Sequence, residues 1–229
     1  MADRYKRIFS LEPNLFKDGS PVLIRAGAVL SDSNTGRLLL QLKLENVSAK
    51  KISAVFTSVK CFNVAKESIE GVDDFQYLDL FIKRNVSFGE KTPIILPDST
   101  TRSLIVNIKR VVFDDGEIWV NDGTDNFHPL PELIDVKHMG VEFAEQLERE
   151  ANKKRPNFWG KFTNLPKQID ELWICACGSL NQNNEEKCFG CGFDKDWVFT
   201  FTSPEVLKPF LDEYKTEQAK AREIKQEQG

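Results

Sequence analysis

Cys175, Cys177, Cys188 and Cys191 are four of the chain's five cysteines and fall within seventeen residues. They form two close pairs separated by ten residues, which lets the chain fold back and present four thiolates to one ion in a tetrahedron. Gly178 and Gly192 each follow the second cysteine of a pair, where a tight turn aims backbone amides at sulfur. Thiolates favour soft or borderline metals over calcium or magnesium, so one Zn2+ is the expected cofactor. An iron centre and a redox or disulfide pairing are the alternatives. With four protein ligands no position is left for an activated water, and the expected metal is structural and not catalytic.

Trp173 stands two residues before Cys175, Asn181 stands four after Cys177, and six residues separate Asn181 from the closing Cys188-x-x-Cys191. This window, residues 172–194, resembles the Ran-binding-protein type of zinc finger. It departs from that family in its first pair, Cys-x-Cys, where two or more intervening residues are usual. The resemblance implies binding of single-stranded RNA or of ubiquitin, and neither set of contact residues is in place. Gln182, Asn184 and Glu185 occupy the positions of the base-stacking aromatic and the arginines, and Gly178-Ser179 replaces the Thr-Phe pair of ubiquitin-binding members.

Charge points the same way. Between Asp170 and Val198 six acidic residues face only Lys187 and Lys195, and the 229-residue chain carries a formal charge of −4. A four-thiolate site on a divalent ion adds roughly two further negative charges, so a phosphate backbone would be repelled. Nucleic acid is therefore an unlikely partner by this reading, and a protein partner is expected. No apolar run reaches the roughly 18 residues of a membrane span, so no membrane insertion is expected. Four reduced ligands beside an unpaired Cys61 suit a reducing compartment, and the expected location is cytoplasmic.

The elements that must carry this site follow from hydrophobic periodicity. Residues 22–120 break into short runs rich in Val, Ile, Leu, Phe and Thr separated by turn residues. In Arg37–Glu45 the residues Leu38, Leu40, Leu42 and Leu44 alternate with polar ones, as in a half-buried strand. Further strands are expected at Ile52–Phe62, Phe75–Phe81, Ser103–Phe113 and Glu117–Val120, with Asp114-Asp115-Gly116 as a hairpin turn. Pro93 and Pro97 mark Ile94–Leu96 as an edge segment. The fold class is thus mainly β plus α, an antiparallel immunoglobulin-like β-sandwich with a partly open barrel as the alternative.

A connecting helix is predicted from about Leu133 to Lys154, with Val136, Met139, Phe143 and Leu147 as its apolar stripe and Glu145–Arg149 and Glu150–Lys154 as i,i+4 pairs. Phe158, Trp159 and Phe162 are expected to pack beneath the metal, and Lys153-Lys154-Arg155 to match the helix dipole. A last helix starts at Ser203-Pro204 with Val206, Leu207, Phe210, Leu211 and Tyr214 on its apolar side, and the polar stretch from Lys215 continues as a solvated helix or disorder. The domains read as a β-sandwich (1–128), a connecting helix (129–156), a zinc-ribbon module (157–200) and a C-terminal helix with polar tail (201–229). This order resembles a group of uncharacterised bacterial proteins.

Catalytic patterns are missing. His128 and His138 have no ligand spacing or adjacent nucleophile, and the sequence holds no phosphate-cradling glycine loop, Gly-x-Ser-x-Gly elbow or His-Glu-x-x-His pair. Asp73-Asp74, Asp114-Asp115 and Asp122-Gly-Thr-Asp125 read as turns, with weak calcium binding as the minor alternative, and Cys61 as a small buried residue. The expected function is that of a non-enzymatic zinc-binding adaptor. Single-stranded nucleic-acid binding through the finger and a thiol or zinc redox sensor are the competing readings.

Overall fold

The structure, a computed structural model, describes residues 4–123, 127–156, 158, 160–169 and 171–227, so Asp125, Trp159 and Asp170 lie outside the described residues. Among the described residues the chain is mainly β with three α-helices, and it divides into two compact units, residues 1–131 and 132–229.

The first unit holds two antiparallel sheets. One contains β1 (Tyr5–Ser10), β2 (Leu15–Phe16), β3 (Val22–Asp32), β4 (Leu38–Asn46), β7 (Ser87–Phe88), β8 (Ile94–Ile95) and β11 (His128–Pro129). The other has the order β10 (Ile118–Val120), β9 (Ser103–Phe113), β5 (Ile52–Phe62), β6 (Ser68–Tyr77). The chain passes between the sheets after β4, β6, β8 and β10, and neither sheet closes on itself among the described residues.

Alternation sets which side chains meet. Leu38, Leu40, Leu42 and Leu44 of β4 are buried against Val55, Val59, Val106, Ile108 and Val111 of β5 and β9 in one apolar cluster. Asn46 is buried at the crossing into β5, and its amide donates to the carbonyls of Lys50 and Ile82 while its oxygen accepts from the Ser48 amide. A polar residue can be buried there because both ends of its amide are satisfied. Cys61 lies in the same core, and burial pushes its thiol up.

Several elements depart from the periodicity. The strand expected at Phe75–Phe81 runs instead from Ser68 to Tyr77 and stops short of Asp79, whose φ of 52° is left-handed. His128 pairs with Phe16 across β11 and β2. Ile94–Ile95 is a short edge strand between its two prolines, as the sequence suggests. Between Asp114 and Gly116 the hairpin turn forms, with Gly116 at φ 85° and Lys50 bridging Asp115 and Glu117 at 2.6 Å each.

The second unit contains a 3-10 turn (Val136–Met139), α1 (Val141–Lys154), a three-stranded antiparallel sheet of β12 (Lys167–Ile169), β13 (Leu172–Ile174) and β14 (Leu180–Gln182), then α2 (Lys195–Phe201) and α3 (Pro204–Glu227). The helix expected from Leu133 begins only at Val141, because Gly140 takes φ 107° and ψ 137° and breaks the register. Leu147 and Ala151 of α1 and Leu207 of α3 are buried with Trp173, Phe162 and Phe193. Glu145 pairs with Arg149 as expected, but Glu150 pairs with Lys153, while Lys154 reaches Asp194 at 2.9 Å. From Lys215 to Ile224 α3 is exposed, so this part of the polar stretch is a solvated helix. No described helix is long and apolar enough to cross a membrane.

One glycine was not flagged by the sequence. A Cβ built at Gly71 on β6 would fall on the carbonyl oxygen of Val59, where the β5–β6 register shifts. We predict that Gly71→Ala destabilises the first unit by about 1–3 kcal/mol, the usual cost of forcing extra volume into a packed site, measured as a lower urea midpoint. An unchanged midpoint would show that the bulge relaxes freely.

Candidate metal centre

Two knuckles bring the cysteines together. β13 and β14 pair with Trp173 opposite Asn181, and the connection between them carries Cys175 and Cys177. Cys175 N–H donates to the Ser179 carbonyl (2.9 Å) and Gly178 N–H to the Cys175 carbonyl (2.8 Å), a turn that Gly178 permits at φ 86°. The second knuckle repeats the pattern: Cys188 N–H donates to Phe193 O (2.8 Å), Gly192 N–H to Cys188 O (2.7 Å), and Gly192 has φ 70°. Both glycines singled out by the sequence therefore do the same work at equivalent places.

The four Sγ atoms all lie within 4.8 Å of one another. Cys175 Sγ is 3.5 Å from Cys191 Sγ, and Cys177 Sγ is 3.6 Å from Cys188 Sγ. A tetrahedral ion with metal–sulfur bonds of about 2.3 Å would set sulfur–sulfur edges of about 3.8 Å, so the quartet is positioned to bind a metal ion. All five cysteines are free thiols. Among the described residues this quartet is the convergent group of metal-donor side chains, and neither His128 nor His138 belongs to it.

So many thiols at such spacing cannot ionise alike without a cation. Hydrogen bonding with Cys175 pushes the Cys188 thiol down, and hydrogen bonding with Cys177 pushes Cys175 up. Hydrogen bonding from Cys175 also lowers Cys177 to about 6. The backbone amides of Cys177, Cys191 and Phe193 hydrogen-bond to the sulfurs of Cys175, Cys188 and Cys191, so the fold already supplies donors to thiolates.

Asn181 holds the knuckles together. It is fully buried; its amide nitrogen donates to Ser179 O (3.0 Å) and approaches Cys188 Sγ (3.7 Å), and its oxygen accepts from Phe189 N–H (2.8 Å). Trp173 is 0% exposed and donates its indole N–H to Glu185 O at 3.2 Å. Beneath the site Phe158, Phe162, Phe193, Trp197, Phe201 and Phe210 form a chain of ring contacts 4.7–5.8 Å apart. Phe158 and Phe162 thus sit where the sequence placed them.

Other supports escaped the sequence reading. Asn164 donates to Cys175 O (3.1 Å), Arg155 donates to Cys191 O, and a Cβ at Gly190 would fall on Ser179 Oγ where the knuckles touch. Arg155 therefore has a specific acceptor beyond the helix dipole. Lys154 holds the Asp194 carboxyl below its usual range through their hydrogen bond.

Acid should release a bound metal, since the ligands must be deprotonated: affinity falls as pH drops below neutrality and is regained on returning to it. A chromophoric chelator competition across pH measures this, and a pH-independent affinity would contradict thiolate ligation. Asn181→Ala should weaken metal binding roughly 10-fold to 100-fold, the range for loss of a partner outside the ligand set. Wild-type affinity in that variant would show that Asn181 serves the hairpin alone. Comparison of the chain with protein-family models, with curated proteins and with solved structures yields no match.

Proposed function

We propose that Cys175, Cys177, Cys188 and Cys191 hold one zinc ion as a structural centre, and that the chain is a non-enzymatic, cytoplasmic protein-interaction adaptor. The observation that carries this reading is the closed donor set: four convergent sulfurs, with amides and Asn181 directed at them, offer a complete tetrahedral shell. Zinc suits such a shell because it has no geometric preference of its own beyond four soft ligands. Five unpaired thiols are in keeping with a reducing compartment.

Two open sheets joined by four crossings around one core support an immunoglobulin-like sandwich for the first unit. Its outer face supports the adaptor reading. Ile118 and Val120 on the edge strand β10 are 57% and 63% exposed, and they stand in register with Val112 and Ala54 and with Arg110 and Phe56. Exposed apolar side chains on an unpaired edge favour a protein partner. Nucleic acid fits poorly, because Trp173 is buried and Glu185 accepts from the Gln182 amide within its own hairpin.

Elemental analysis of protein purified under reductant should find one zinc per chain, lost in Cys188→Ser together with the protease resistance of the second unit. Metal-free wild-type protein would overturn the zinc reading. For the adaptor reading, a pull-down from native extract should retain a stoichiometric protein that Ile118→Glu/Val120→Glu loses. Absence of any stoichiometric partner, or salt-sensitive retention of labelled single-stranded RNA at low micromolar protein, would overturn it.

A further inference from the structure

The four cysteines are not equally exposed. Cys175 and Cys188 are 0% and 2% exposed, whereas Cys177 and Cys191 are half-buried and line a cleft of about 420 Å³ together with Arg155, Phe158, Lys161 and Ser179. Each knuckle contributes one buried and one half-buried cysteine. The short contacts run across the knuckles: Sγ of half-buried Cys191 lies 3.5 Å from that of buried Cys175, and Sγ of half-buried Cys177 lies 3.6 Å from that of buried Cys188.

We infer that the cleft is an oxidation site for small hydroperoxides, and that oxidation exchanges the metal crosslink for a disulfide between the two knuckles, Cys175–Cys191 or Cys177–Cys188. The inference rests on the zinc reading above. A thiolate at Cys191 attacks the terminal peroxide oxygen, the O–O bond breaks, and hydroxide from hydrogen peroxide, or the alkoxide of an organic hydroperoxide, departs to leave a sulfenic acid. Cys175 thiolate then attacks the Cys191 sulfur, the S–O bond breaks, and hydroxide leaves as the disulfide forms. The two sulfurs lose two electrons and the peroxide gains them. Cys177 and Cys188 react by the same steps. Arg155 and Lys161, which line the cleft, stabilise the departing anion.

The pairing determines what happens to the fold. A disulfide within Cys175-x-Cys177 or within Cys188-x-x-Cys191 would close a loop of a few residues and leave the knuckles free to separate. A bond across them spans eleven to sixteen positions and keeps the knuckles pinned where the metal had held them. Two sulfurs remain after oxidation, too few to retain the ion tightly.

Protein of measured zinc content is treated with one equivalent of hydrogen peroxide; zinc release is followed with a chromophoric chelator, disulfides are mapped by peptide mass spectrometry, and trypsin resistance of residues 132–229 is compared before and after. The expected result is stoichiometric zinc release, a Cys175–Cys191 or Cys177–Cys188 linkage, and resistance retained. In the zinc-loaded protein, iodoacetamide should label Cys177 and Cys191 at least 10-fold faster than Cys175, Cys188 and Cys61. Linkages within a knuckle, zinc retained in the presence of peroxide, or equal labelling of all four ligands would overturn the inference while leaving the zinc reading intact. Starting protein without zinc overturns the zinc reading instead, whatever the labelling order.

Discussion

Four sulfurs within 4.8 Å impose the constraint around which the second unit is organised. As thiolates they repel one another strongly, and as thiols they leave polarizable groups buried with poor partners. The surrounding chain answers that problem with donors. Amides of Cys177, Cys191 and Phe193 reach sulfur, Asn181 brings its side-chain nitrogen to Cys188, and Arg155 binds the carbonyl of Cys191. None of these neutralises several charges at once, which is what a divalent cation at the centre does.

The same constraint explains why helices and aromatic rings enclose so small a sheet. β12, β13 and β14 have three residues each, and strands that short bury too little to be stable alone. The deficit is met by Trp173 and Phe193, both fully buried, and by α1, α2 and α3, which bring Leu147, Val198 and Leu207 into the same cluster. Ring pairs such as Trp197–Phe201, stacked at 4.7 Å, connect the metal end to α3. An ion held by the quartet would complement the aromatic cluster: the ion would crosslink the knuckles, and the cluster supplies the apolar area that the hairpins lack.

What was legible in the sequence was what depends on neighbours along the chain. The cysteine spacing, the glycines after each pair, the leucine alternation of Leu38–Leu44 and the proline-bounded edge at Ile94 are all local signals, and each corresponds to a feature of the structure. The failures lie where a single backbone angle or a distant contact decides. Gly140 at φ 107° delays α1 to Val141, and Asp79 at φ 52° lies just beyond the end of β6 at Tyr77. α2, Lys195–Phe201, has seven residues with aromatics on more than one side, too short for a period to show. Asn164, Arg155 and Gly190 act through partners 11 to 36 positions away or across a contact that no motif encodes.

Trp173 shows how completely a conspicuous aromatic can be committed to packing. It stands two residues before Cys175, and its ring is wholly inside, with Phe199 at 6.1 Å and Lys195 at 5.8 Å. The indole N–H is committed to Glu185 O, and that carbonyl belongs to the residue whose carboxylate takes the Gln182 amide. A residue so placed stabilises the hairpin by filling its underside, and freeing it to meet a base would expose the aromatic cluster to water.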